Sequence, residues 1–115
     1  MMHGYPLPPV PKKLQEMLAD YPDLIERLQQ VLNSSAERSR RLPLMPFDDA
    51  ISALDGRLGT FLYEARDELT SAEAGEDEGL IDAAKRKKSA VSMAGVTQLW
   101  ITDEQFHAYF ITGFT

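Results

Sequence analysis

The chain has 115 residues, no cysteine and a formal net charge of −6. That length suits one domain, able to bury roughly two thirds of its unfolded surface without help from metal or disulfide. The missing cysteine excludes a thiol nucleophile, a thiolate metal site and a disulfide framework, and the acidity argues against general nucleic-acid binding.

The first eleven residues, MMHGYPLPPVP, hold four prolines within six positions. Proline removes backbone donors and fixes an extended backbone, so residues 1–11 read as a polyproline-type arm, mobile unless it lies on the domain. Pro8, Pro11 and Lys13 also have the spacing of a ligand for an aromatic groove, a short pattern that arises easily by chance. The arm lacks the basic stretch and apolar run of a secretion signal, so a cytoplasmic location is expected. Residues 12–115 read as a single helical domain.

Leu14, Leu18, Tyr21, Ile25, Leu28 and Leu32 alternate in steps of four and three, a heptad seam interrupted by Pro22. A proline is tolerated in the first turn of a helix and disfavours helical backbone before it. The expected result is a short helix over 12–19 and a second over 22–35. Residues 36–46, AERSRRLPLMP, read as a connection, with Leu42, Leu44 and Met45 tucked against the core.

Phe47, Ile51, Leu54, Leu58, Phe61 and Ala65 form a second seam, and such a stripe must be buried against another helix. It predicts a long helix over 47–74, with Asp48 and Asp49 favourably placed in the first turn. Gly56 and Gly59 each weaken its interior by ~1 kcal/mol relative to alanine. Either they admit a close neighbour, or Asp55-Gly56 is a turn; the unbroken phase of the seam favours a continuous helix. Residues 75–79, GEDEG, form the next turn. A helix over 80–95 follows, with a small inner face of Leu80, Ala83, Ala84, Ala90, Val91 and Ala94. A short loop makes the two helices antiparallel. That register sets Phe61 against Val91, Leu58 against Ala94 and Leu69 against Ala83.

Residues 96–101 are ambiguous between helix and extended chain. Thr102 with Gln105 reads as a capping box opening a last helix, and Gly113 as its stop. The expected fold is therefore all-α: a small bundle of four or five helices around the antiparallel hairpin, with an extended proline-rich arm at the N-terminus.

Three surfaces stand out. Trp100, Phe106, Tyr109, Phe110 and Phe114 are either core or the centre of a protein-binding surface, including a homodimer interface. Residues 46–82 carry eleven Asp/Glu and two Lys/Arg, which makes the hairpin turn strongly acidic. The cations Lys85, Arg86, Lys87 and Lys88 are expected opposite Glu64, Asp67 and Glu68, where ion pairs would fix the register. With Arg38, Arg40 and Arg41 they are also the residues a nucleic-acid-associated regulator would use.

Nothing here reads as catalytic, cofactor-binding or metal-binding. A bundle di-metal site needs a Glu-x-x-His motif on each of two helices, and the sequence has only Glu104 with His107; there is no nucleophile elbow or phosphate-binding glycine loop. His3 and His107 are far apart in sequence. No apolar run approaches the ~20 residues of a membrane span. The expected function is a small cytoplasmic protein–protein interaction or regulatory protein without chemistry of its own. A nucleic-acid-associated regulator and a small-molecule-binding bundle are the alternatives.

Overall fold

The computed structural model describes residues 6–42 and 44–114, without the side chain of Phe114. Five helices and no strand occur among the described residues. They are α1 (Lys12–Met17), α2 (Pro22–Arg41), α3 (Pro46–Gly75), α4 (Glu78–Ala94) and α5 (Glu104–Ile111). The helix α3 is the spine: α2 packs antiparallel on one side and α4 on the other, α5 covers its first turns, and α1 lies against α4. The molecule measures 53 × 26 × 21 Å, the long dimension following the 30 residues of α3, which span about 45 Å.

Pro22 occupies the first turn of α2, and Tyr21 before it is non-helical, at φ −130° and ψ 68°. The break resets the phase of the first seam. Leu24, Leu28 and Leu32 are buried, whereas Ile25, expected on the seam, is half-buried.

The helix α2 also runs on to Arg41, six residues past its expected end. Ala36, Ser35 and Ser39 continue its buried face. The Ser35 hydroxyl donates to Asp49 Oδ2 at 2.6 Å, and Arg38 Nη2 donates to the same oxygen at 2.9 Å. One carboxylate in the first turn of α3 thus clamps the last turns of α2. The connection shrinks to residues 42–45, which sit outside the helix ends. Leu42, Leu44 and Met45, expected against the core, are instead 65, 70 and 68% exposed, because they lie between the helices and on neither helix's buried face.

The helix α3 is continuous through Asp55, Gly56 and Gly59. A methyl group added at either glycine would meet nothing within 4 Å, so no neighbour among the described residues exploits the missing side chains. Ala50, Leu54, Leu58, Phe61 and Ala65 form its buried stripe, and the first four share one core with Leu24, Leu28 and Leu32 of α2 and Val91 and Ala94 of α4. The hairpin turn is only Glu76 and Asp77. Glu76 takes left-handed backbone at φ 57°, and the Asp77 side chain caps α4 by accepting from Leu80 N at 3.1 Å.

The proline-rich segment over residues 6–11 lies on the domain. Pro8, Val10 and Pro11 are buried. Gln29 Nε2 donates to the Pro8 carbonyl at 2.7 Å, and the Tyr109 hydroxyl donates to that of Pro6 at 2.7 Å. His3 falls outside the described residues.

The last helix is capped by Asp103, not Thr102. Asp103 Oδ1 accepts from Phe106 N at 2.9 Å, and its Oδ2 accepts from Lys12 N at 2.7 Å. An aspartate one residue nearer the helix has the shorter reach to those amides. Residues 97–99, left open by the sequence, form a 3-10 turn, and Gly113 lies within another short 3-10 turn over 112–114.

Candidate interaction surface

The aromatic residues proposed as a partner-binding surface separate into core and shell. Trp100, Phe106 and Phe110 are each 1% exposed or less. Phe106 is the hub: its ring centroid lies 5.4 Å from that of Phe47, 6.1 Å from Trp100 and 5.5 Å from Phe110. Such tilted and edge-on pairs favour close aromatic packing. The Trp100 indole N–H donates to the Ala94 carbonyl at 2.9 Å, so its polar end is also satisfied inside. These three residues are core, and no partner can reach them in the folded chain. Tyr109 is half-buried, its hydroxyl held between Arg40 Nη2 at 2.6 Å and the Pro6 carbonyl at 2.7 Å. The Phe114 side chain lies outside the described residues. His107 is exposed, with its ring edge-on to Phe47 at 5.0 Å.

The two basic clusters do not converge. Arg38 pairs with Asp49 and Lys87 pairs with Glu68. Those carboxylates are 19 residues apart on α3, about 28 Å along the axis. Arg40 is engaged by Tyr109. The Lys87–Glu68 pair, at 3.1 Å, sets the basic run against α3, as expected. Glu64, also expected opposite the basic run, turns the other way. It receives both Arg27 Nη1 at 2.7 Å and Nη2 at 2.8 Å from α2. The hydrogen bonds from Arg27 hold the Glu64 carboxyl below its ordinary range, outweighing desolvation, with help from the charges of Arg27, Lys87 and Arg57. The same bonds raise the Arg27 guanidinium, which also lies 4.7 Å over the Phe61 ring.

What the structure leaves uncovered is the far end of the hairpin. No residue between Ala65 and Val91 is buried. The cause is a mismatch of lengths: α2 has 20 residues and α3 has 30. Tyr21, just before α2, marks the level that α2 reaches, its ring 5.6 Å from Lys87 Nζ. Beyond that level α3 and α4 continue as a pair for about 12 Å, at 1.5 Å per residue.

One side of this pair is an open groove of about 590 Å³, lined by Tyr21, Asp67, Glu68, Ala72, Leu80, Ala83, Ala84 and Lys87 among others. Leu80 is 61% exposed, and Ala83 is exposed beside it. Both were expected inside the hairpin; with no third helix at this level, that face opens to solvent. Leu69, the expected partner of Ala83, lines a groove on the other side with Lys85, Lys88, Met93 and Val96. From Asp67 to Asp82 there are seven acidic residues and no basic one. Among the described residues, Glu68 alone of these joins an ion pair.

No group of three or more potential ligands could hold a metal ion among the described residues. No described helix is long and apolar enough to cross a membrane. The chain matches no family model, no curated protein and no solved structure.

Proposed function

We propose that this is a small protein–protein interaction or regulatory protein that works by surface complementarity, contacting its partner through the far end of the α3–α4 hairpin. The observation that supports this most is the unburied stretch between Ala65 and Val91, which presents Leu80 at 61% exposure in an acidic groove. A solvent-facing leucine and two alanines on a rigid helical pair, rimmed by charge, have the make-up of a contact patch. Self-association through residues 100–114 loses its main support, because Trp100, Phe106 and Phe110 pack inside one chain. The absence of cysteine is in keeping with a reducing, cytoplasmic setting. The reading includes no catalytic step.

The experiment is a paired affinity capture from native cell extract, with the intact protein and its Leu80→Asp variant as baits, quantified by mass spectrometry. At least one protein should be retained by the first bait and fall at least about tenfold on the second, as a contact at the centre of an interface does. Circular dichroism should show both baits equally helical, since Leu80 lies outside the core. Identical captured sets would remove the hairpin end as the contact surface.

A further inference from the structure

The chain carries its own example of how a helix docks on α3. At the level of Glu64, the occupant is α2. It lays Leu24 and Leu28 into the core and clamps Arg27 onto Glu64 with two hydrogen bonds at 2.7 and 2.8 Å. One turn farther out, α3 offers the same kind of rim again, at Asp67 and Glu68, beside an apolar strip of Ala72, Leu80, Ala83 and Ala84. There the occupant is missing, because Pro22 starts α2 too late to cover it.

We propose that this groove binds a basic amphipathic helix of another protein, which lies against α3 and α4 as the third helix of a local bundle. The inference deepens the preceding reading and rests on it. Three observations select this occupant. The strip is as long as about two helical turns and is apolar, so it takes the i, i+3, i+4 face of a helix. Small side chains on α4, Ala83 and Ala84, leave room for leucine-sized ones. Lys87 lines the groove too but is paired with Glu68, and the other six acids from Asp67 to Asp82, Asp67 at the rim among them, have no ion-pair partner among the described residues. Lysine or arginine at the rim positions of an incoming helix is attracted by these carboxylates, whereas a second copy of this hairpin would bring its own seven acids together with its run at 85–88.

The test uses the intact protein, labelled with nitrogen-15, and a synthetic 14-residue peptide of leucine and lysine with leucine in steps of three and four. Two control peptides accompany it. One has the same composition in an order that scatters leucine around the helix; the other replaces every lysine with glutamate. The leucine–lysine peptide should shift the amides of Asp67, Ala72, Leu80 and Ala83 saturably. The scattered control should bind at least about tenfold more weakly, and salt should weaken the specific complex by screening the rim. Ala83→Arg, which fills the groove from an exposed position, and Asp67→Lys should each reduce affinity at least about tenfold.

Equal binding by the scattered peptide, shifts mapped elsewhere, or full affinity in both variants would overturn the inference. So would tip amides that shift on raising protein concentration alone, which would identify a second copy as the occupant. If the glutamate peptide shifts the tip instead, the partner chemistry is wrong while the contact surface stands. If no peptide shifts the tip, this inference falls, and the capture with Leu80→Asp decides the broader reading separately.

Discussion

Arg27 and Glu64 bind each other face to face across α2 and α3, two guanidinium nitrogens to two carboxylate oxygens at 2.7 and 2.8 Å. This pair fixes the register of α2 on the spine at one end, as Ser35 and Arg38 on Asp49 fix it at the other. Both side chains are partly open to solvent, at 31% and 43% exposure, so its contribution is modest despite the geometry.

The pair makes stability depend on pH with a definite sign. The Glu64 carboxyl is held below its ordinary range in the folded state, so its contribution is complete at neutral pH. It fades as pH falls through the lowered folded value, while Arg27 stays charged throughout. Glu64→Gln should therefore destabilise by about 0.5–1 kcal/mol near pH 7, and by progressively less in acid. Urea denaturation of both proteins between pH 7 and acid checks this. A difference that grows on acidification would contradict it.

Phe61 and Leu80 are both large apolar residues of the hairpin, and they should behave oppositely. Phe61 is 1% exposed, so Phe61→Ala should cost about 3–5 kcal/mol as a core truncation. Leu80 is 61% exposed, so Leu80→Ala should stay within about 0.5 kcal/mol of the parent. Reversible denaturation reads both. A loss of several kcal/mol at Leu80 would mean that the hairpin end is covered.

Asp103 serves two helices at once, capping α5 through Phe106 N and tying down α1 through Lys12 N. Asp103→Ala leaves both amides without their acceptor and should cost about 1–2 kcal/mol. Thr102→Ala should change stability little, since the cap is one residue later. The reverse order in thermal unfolding would restore Thr102 as the cap.

Gly56 and Gly59 sit in open space on a continuous helix. Alanine at either position should stabilise the isolated protein by about 0.5–1 kcal/mol, through helix propensity alone. Destabilisation in thermal melts would reveal a contact at these positions.

How far the sequence determines these features depends on how local each cause is. The seam from Phe47 to Ala65 is a local regularity, and from Leu54 onward it is the buried stripe of α3; Phe47 and Ile51 are half-buried, and Ala50 is buried in their place. The start of α2 at Pro22 and the pairing of Lys87 with Glu68 followed from similarly local rules. The errors lie where tertiary contact decides. The end of α2 depends on Asp49 reaching back to Ser35 and Arg38, a contact between residues whose adjacency is known only after the chain has turned. Phe106 and Phe110 could face a partner or a core; Phe47 and Trp100, brought in from α3 and the 96–101 segment, make them core. The groove at Leu80 has a sign in the sequence. Once α2 is bounded at Pro22 and a helix of 30 residues follows a helix of 20, the longer one must overhang.

The central claim is that Trp100, Phe106 and Phe110 are inside and the far end of the hairpin is outside. Hydrogen exchange along the chain tests both halves in one measurement, because local opening follows the local loss of packed contacts. The slowest amides should lie in Leu54–Phe61, Val91–Ala94 and the last turn of α5, and those from Leu69 to Ala84 should exchange early. Protection over Leu69–Ala84 equal to that of Leu54–Phe61, or rapid exchange at Phe110, would contradict the account.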